Sequence, residues 1–328
     1  RWAADERTVS GTSMHEQIAA AYTSFKYQVS PSTELIAGTR YEFTDRRLTE
    51  DAITNINRRG QLFPSLFISR KLTDQSNVQF SYTKRITRPS YNDLTSYLIY
   101  IDPMSVLTGN TLLKPVISHS LKTDYSLSGY IFSMVLSRDV NPIVRYQLTE
   151  NEEGNLMYVS PQNMRFQNHL TFLANLPWKV NSWWSININL SAGWRQFGLE
   201  HTREKAEHTY FTSWVSGSHV FTLPASFSLE LSGWYTLGSY DGTSDNNAFG
   251  MLNMGVKKEL KGKGTLQLTV QDLFTSMRIT SYRGALVEEA FSTSSKVLYQ
   301  AESAYASIVK VSYFKSFGNR NLKKRIER

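Results

Sequence analysis

Six histidines, His15, His119, His169, His201, His208 and His219, are scattered along the 328 residues. They form neither an i, i+4 helical pair nor a pattern with carboxylates of the kind that holds zinc. His201 and His208 share one polar segment with Glu200, Glu204 and Glu207, which could touch a metal at the surface but reads more simply as a solvated loop. No nucleophile sits in a recognisable relation to a base, and no glycine-rich phosphate loop is present. The sequence therefore predicts no catalytic residue, no metal site, no cofactor and no enzyme. The groups with chemistry left to offer are charges placed by alternation. Arg40 and Glu42 alternate with Thr39, Tyr41 and Phe43, so they lie on the polar face of an element whose other face is aromatic. Arg85 and Glu230 fall in similar company. Such charges either contact a ligand or pair with one another along a polar wall. A second group, Arg88, Tyr91, Tyr97, Asp102 and Asn110, lies where an aromatic segment gives way to a long polar one, and loops on a rigid scaffold commonly carry binding groups. The plainer reading is that Pro89 ends a hydrogen-bond ladder and Gly109-Asn110 forms a turn.

The elements that position these groups follow a period of two. Phe227, Leu229 and Leu231 alternate with Ser226, Ser228, Glu230 and Ser232, and Trp184, Ile186, Ile188 and Leu190 alternate with Ser185, Asn187, Asn189 and Ser191. Leu266, Leu268 and Val270 do the same against Thr265, Gln267, Thr269 and Gln271. That periodicity predicts strands with one apolar and one polar face. Thirteen are expected, near 16–29, 33–46, 61–72, 76–88, 117–128, 130–148, 155–176, 182–198, 207–223, 225–240, 246–260, 264–280 and 296–317. The segment 281–295 is expected to add an extension or a hairpin. Short turns at Ser30–Ser32, Thr73–Gln75, Ser128–Gly129, Lys179–Asn181, Pro224 and Lys261–Lys263 alternate with long connections at 47–60, 89–116, 199–206, 241–245 and beyond Thr280.

Composition narrows the class. No apolar stretch reaches the 18 or so residues of a spanning helix. Cysteine is absent, which removes disulfides and thiolate metal sites. The opening residues Arg1–Glu6 carry no signal-peptide pattern, so the N-terminus reads as incomplete. Of the net charge of +8, half comes from Arg320–Arg328, with five basic residues and one acidic one. No basic and aromatic face suited to nucleic acid is apparent. Alternation also describes a soluble β-sandwich, but strands of globular proteins have a mode of about 5–6 residues, and the segments here are two to three times longer. The expected fold is all-β, a transmembrane antiparallel up-and-down β-barrel in the bacterial outer membrane, with outer-membrane lipid as its surroundings. Short turns would face the periplasm and long loops the exterior. Residues 1–318 are read as a partial barrel domain and 319–328 as a basic periplasmic tail.

Ordered motifs add a resemblance. The run Phe80-Ser81-Tyr82-Thr83-Lys84-Arg85-Ile86-Thr87-Arg88-Pro89-Ser90-Tyr91 is followed by Asp102-Pro103 and by Gly109-Asn110-Thr111-Leu112-Leu113-Lys114-Pro115. It is similar to the barrel of TonB-dependent receptors of the Bacteroidota, with Val116 where glutamate is usual. Ala20-Ala21-Tyr22, Gly38-Thr39-Arg40-Tyr41-Glu42, Leu62-Phe63-Pro64-Ser65, Asp272-Leu273-Phe274 and Ser312-Tyr313-Phe314-Lys315-Ser316-Phe317-Gly318 extend the likeness along the chain. The resemblance implies uptake of a siderophore, vitamin, peptide or glycan, a ligand it does not specify. It implies a plug and TonB box absent from these residues, engagement of the TonB complex through that plug, and a possible surface lipoprotein partner. Arg40, Glu42, Arg85, Arg88, Tyr91, Tyr97, Asp102, Asn110 and Glu230 become contacts for ligand or plug. Tyr313 and Phe317, in register with Val309 and Val311, resemble the closing signal read by the barrel assembly machinery. Complete barrels of this kind have 22 strands, and a count of thirteen that starts and ends descending fits their C-terminal portion. The alternative is a plugless porin or a structural or adhesion barrel.

Overall fold

Alternating residues with β-branched and aromatic side chains on one face favour the pleated, half-exposed surface of an antiparallel sheet. That is what forms. The structure, a computed structural model, describes residues 11–50, 53–150, 157–200, 205–242, 244–283 and 295–315. In chain order the elements begin with β1 (Thr12–Ser30), β2 (Thr33–Glu50), β3 (Ile53–Thr73), β4 (Ser76–Thr87) and a single helical turn α1 (Tyr91–Leu94). There follow β5 (Ile99–Asp102), β6 (Ser105–Leu107), β7 (Val116–Leu127), β8 (Tyr130–Val140), β9 (Ile143–Glu150), β10 (Met157–Asn163) and β11 (Phe166–Lys179). Next come β12 (Trp184–Leu199), β13 (Ala206–Leu223), β14 (Phe227–Thr236), β15 (Ser239–Tyr240), β16 (Ser244–Asn246) and β17 (Phe249–Leu260). The last are β18 (Gly264–Gln271), β19 (Arg278–Arg283), β20 (Ser295–Gln300) and β21 (Ile308–Phe314).

Thirteen strands make one sheet in the order β1-β2-β3-β4-β7-β8-β11-β12-β13-β14-β17-β18-β21. Each pairs antiparallel with the next, as in an up-and-down barrel wall, and β1 and β21 lie at the two edges. No helix among the described residues is long and apolar enough to cross a membrane. All six short turns fall at one end of the sheet. Ser128 and Gly129, both with positive φ, make a tight two-residue hairpin turn, whose twist matches that of the flanking strands.

Residues directly opposite across an antiparallel ladder share a face, so the register assigns both faces. Leu66, Tyr82, Leu121, Leu136, Leu170, Trp194 and Phe211 line up across seven strands. One residue along, Ser65, Thr83, Ser120, Ser137, His169, Arg195 and Tyr210 line up on the opposite face. The first face is apolar and the second polar. Trp184 and Trp194 of β12 bracket the apolar residues Ile186, Ile188, Leu190 and Ala192. At about 3.3 Å per residue and a tilt of about 40°, their separation rises about 25 Å, the height of the apolar band of an outer-membrane barrel.

Three sequence expectations change at the long-connection end. The segments 130–148, 155–176, 225–240, 264–280 and 296–317 do not run as single strands. Each breaks, at Asn141–Pro142, Met164–Arg165, Leu237–Gly238, Asp272–Met277 and Ala301–Ser307, and the outer pieces pair separately as β5-β6-β10-β9 and β15-β16-β19-β20. Pro142 has no N–H for the ladder and Asn141 and Asp272 adopt positive φ, which ends the regular pairing. The expected loop 47–60 is instead mostly strand, since β2 and β3 stay paired from Thr33↔Arg70 to Glu50↔Ile53. Its charges and amides suggested a loop, yet cross-strand pairs such as Asp45 with Arg58 and Thr49 with Thr54 hold it extended. The expected closing strand from Tyr305 is shorter, beginning at Ile308. Most of the 281–295 segment, residues 284–294, lies outside the described residues; the strands that flank it, Arg278–Arg283 and Ser295–Gln300, pair antiparallel. The 319–328 tail lies outside the described residues.

Candidate functional site

The long connections fold back over the polar face. Leu94 and Leu113 from the 88–115 segment bury against Leu48 of β2 with Met14 and Ile143 beside them. Met164 and Tyr240 pack on Phe197 and Leu199 of β12, with Val144, Ala206 and Tyr210 around them. Two small apolar cores thus fasten loops onto the upper half of the polar wall, and the charged residues gather beneath the first.

Glu42 is 3% exposed and is the centre of this cluster. Its carboxylate takes one guanidinium from Arg40, beside it on β2, and a second from Arg88, just past the end of β4. Arg88 also donates to Thr44 Oγ1 at 2.9 Å and lies 3.8 Å from Glu16 of β1. Arg46, also buried, donates to the carbonyl of Leu113 at 3.4 Å. Glu16, Glu42, Arg46, Arg59, Phe63 and Arg88 are among the residues that border a cavity of about 40 Å³, room for no more than a few waters. Three arginines, Arg46, Arg59 and Arg88, against two carboxylates, Glu16 and Glu42, leave the lining with a net positive charge, so it can hold the loop in place and offer positive charge to an anionic group.

The loop that brings Arg88 here is built from local capping. Ser90 caps α1 by accepting from the Asp93 N–H at 3.2 Å, and Asp93 returns the bond to the Ser90 N–H at 2.9 Å, a reciprocal capping box. The Asp93 carboxylate then takes two bonds from Arg145 of β9 at 2.8 and 2.9 Å. Burial works to raise the pKa of this carboxyl, and the bonds from Arg145 and Ser90 outweigh it, holding Asp93 below the usual carboxylate range. Asn110 is a staple: its N–H donates to the Asp93 carbonyl at 2.7 Å and its amide to the Pro161 carbonyl at 3.1 Å. Gly109 donates to the Thr95 carbonyl at 3.1 Å, an approach so close that a Cβ would collide with that oxygen.

The other expected site residues stand apart from the cluster. Arg85 is exposed on the polar face opposite Ser118. Tyr91 is exposed, and its hydroxyl donates to the Thr12 carbonyl at 3.0 Å. Tyr97 is half-buried, and Asp102 accepts from the Met104 N–H at 2.8 Å within the β5–β6 turn. Glu230 lies exposed on the polar face near the short turns, opposite Val220 and Gly255. Tyr313 sits on the apolar face of β21 in line with Leu266, and Phe317 lies outside the described residues.

Two features escaped the reading of charged residues. Asp272, fully buried at the end of β18, accepts from the backbone N–H groups of Ser276 and Met277 at 2.8 and 3.0 Å and from the Ser276 hydroxyl at 2.9 Å. Burial pushes its pKa up, and these donors more than reverse the push. The second is the uncharged middle of the polar wall, where Asn175 donates to Asn189 at 2.6 Å and Asn189 meets Ser216 at 3.5 Å beneath Trp214. Its signal was the Asn/Ser half of the β12 alternation.

Comparison with known proteins agrees with this architecture. Residues 1–308 match the outer membrane protein beta-barrel family. Among solved structures, the copper transporter OprC aligns over 79% of this chain and 42% of its own, with TM-score 0.55 and 12% identity. The ferripyoverdine receptor of the Pseudomonas aeruginosa outer membrane aligns over 82% and 36%, with TM-score 0.53 and 12% identity. The siderophore receptor PirA from Pseudomonas aeruginosa aligns over 81% and 55%, with TM-score 0.50 and 12% identity. The chain thus spans about half or less of the length of these solved proteins. No curated protein matches it in sequence. With a thirteen-strand up-and-down sheet, one apolar face of bilayer height and a family match over nearly all its length, the chain belongs to the outer membrane protein β-barrel family.

Proposed function

We propose that this chain is barrel wall of a TonB-dependent outer-membrane receptor that takes up a siderophore, vitamin, peptide or glycan. The observation that carries the reading is the likeness of thirteen sequential strands to the barrels of a copper transporter and two siderophore receptors. The folded-over loops support it, because an arginine-rich pocket under a loop fastened by Asp93 and Arg145 suits a gated receptor better than an open pore. On this reading the long connections are extracellular and the short turns periplasmic, the arrangement usual for outer-membrane barrels. Bacterial single-chain barrels have even strand numbers, so thirteen strands fit as the C-terminal portion of a 22-stranded wall of the Bacteroidota type. A plug would then reach the TonB complex, and the barrel assembly machinery would read the Tyr313 and Phe317 end. A surface lipoprotein would be a further partner above the mouth.

Arg40, Glu42 and Arg88 are proposed as contacts for plug or ligand through the loop they hold. The test is growth of a strain deleted for the gene on a panel of sole iron, vitamin, peptide and glycan sources. Loss of growth on one source, restored by the gene and lost again when TonB is deleted, is expected. Growth unchanged on every source, together with a large and constantly open conductance of the native protein in planar bilayers, would replace the receptor with a passive porin.

A further inference from the structure

Just beyond the apolar band, the apolar side of the wall turns basic. His119 and Arg138 stand directly opposite one another on β7 and β8, and beside them on β4 Lys84 turns its ammonium over the ring of Phe63. They are two residues beyond the Tyr82–Leu121–Leu136 row, about 5 Å further out at the tilt of an outer-membrane strand. The Arg138 and Arg165 guanidinium groups both lie over the ring of Phe166, 4.9 and 5.0 Å from its centre, and the ring is 9% exposed. Arg138 spends one weak bond on Asn168 at 3.3 Å. The Arg165 Nε is buried and has no hydrogen-bond partner among the described residues. Among the described residues a single carboxylate, Glu207, reaches this group, through Arg165.

Cations that are held flat on a ring, with donors unspent, and that sit one step above a lipid-facing row meet a lipid headgroup, because that is what occupies this height. We propose that Arg138, Arg165 and His119 form a docking site for the phosphoryl headgroup of an outer-leaflet lipid whose acyl chains lie on Leu136, Leu170 and Trp194. Charge complementarity selects the phosphate, and continuity with the apolar face selects a lipid over a soluble anion. The leaflet rests on the long connections being extracellular, as proposed above.

The test uses the full-length native protein in detergent, with diphosphoryl lipid A as the probe and native mass spectrometry as the readout. The wild type should bind the lipid, and Arg138→Gln/Arg165→Gln should bind it about thirtyfold more weakly, from the strength of two basic side chains at an anionic surface. Lys258→Gln, which changes a lysine on the same face at the short-turn end, should bind like the wild type. Heat-dependent gel mobility establishes that each variant is folded. Equal binding by the double variant would overturn the site, and displacement of the lipid by an equal concentration of inorganic phosphate would overturn the choice of a lipid. Leu112→Cys, exposed at the long-connection end, should react with an impermeant maleimide on intact cells. Reaction only after permeabilisation would break the orientation and with it the outer-leaflet assignment, whatever the lipid arm reports.

Discussion

Leu190→Arg puts a charge where the account places the middle of the bilayer. Leu190 is six residues from Trp184 and four from Trp194 on β12, on the same face as both. At about 3.3 Å per residue and a tilt of about 40°, it stands about 15 Å above one aromatic and about 10 Å below the other. An arginine at that depth on the lipid face costs about 2–4 kcal/mol, falling to about 0–1 kcal/mol near an interface. Leu190→Arg should therefore lower the folding equilibrium by about thirtyfold or more, since about 1.4 kcal/mol is tenfold. Trp194→Arg, at the edge, should cost much less of this charge penalty. Asn189→Arg, one residue away on the polar face opposite Asn175 and Ser216, should be tolerated. The assay is urea-dependent folding of the full-length protein into lipid vesicles, read by heat-dependent gel mobility and tryptophan emission. Equal costs for Leu190→Arg and Asn189→Arg would refute the facing assignment, and a greater cost at Asn189 would reverse it.

The mouth gives further predictions. Glu42→Gln should free the 88–115 loop, with a cost below the about 3–5 kcal/mol of breaking a fully buried pair because Arg40 is half exposed; faster amide exchange at Ser90–Leu94 would register it. Asp93 has its pKa depressed in the folded loop, so its contribution is complete above the ordinary carboxylate pKa of about 4 and is lost as pH falls through the lower folded value. Loop protection read after a pulse at pH about 3 should drop in the wild type, and Asp93→Asn should abolish that dependence. Asp272→Ala leaves the Ser276 and Met277 N–H groups unpaired, about 1–3 kcal/mol each, and should expose the 272–283 segment to protease without unfolding the sheet. Gly109→Ala should loosen the loop by driving a methyl group into the Thr95 carbonyl, a change visible in the same exchange experiment.

Much of the wall was legible because its physics is local. Period-two alternation depends on neighbours in sequence, and it yields the strand count, the two faces and all six short turns. The breaks at the long-connection end were not legible, because alternation runs on through Met157–Lys179 while the chain turns at Met164 and Arg165 to serve a different sheet. Pro142 was the one visible signal among these breaks. The 47–60 segment misled in the opposite direction, since charged and amide residues suit an extended hairpin as well as a loop when they pair across it. For the site, alternation found Arg40 and Glu42, and the aromatic run found Arg88. That Arg88 reaches back to Glu42 depends on a loop fastened by Asp93 and Arg145, 52 residues apart, a contact that no local pattern encodes. Asp102 and Asn110 bond backbone groups of their own and neighbouring loops, partners that residue type alone does not reveal.

The central claim is that alternate residues of these strands face lipid and an enclosed polar interior. These 328 residues contain no cysteine, so single cysteines at 186 to 191 on β12, with any cysteine elsewhere in the full-length protein replaced by serine, can each carry a nitroxide in vesicles. Spin relaxation by oxygen, which concentrates in the hydrocarbon, should be strong at Ile186, Ile188 and Leu190 and weak at Asn187, Asn189 and Ser191. Uniform relaxation, or a maximum at the asparagines, would contradict the account.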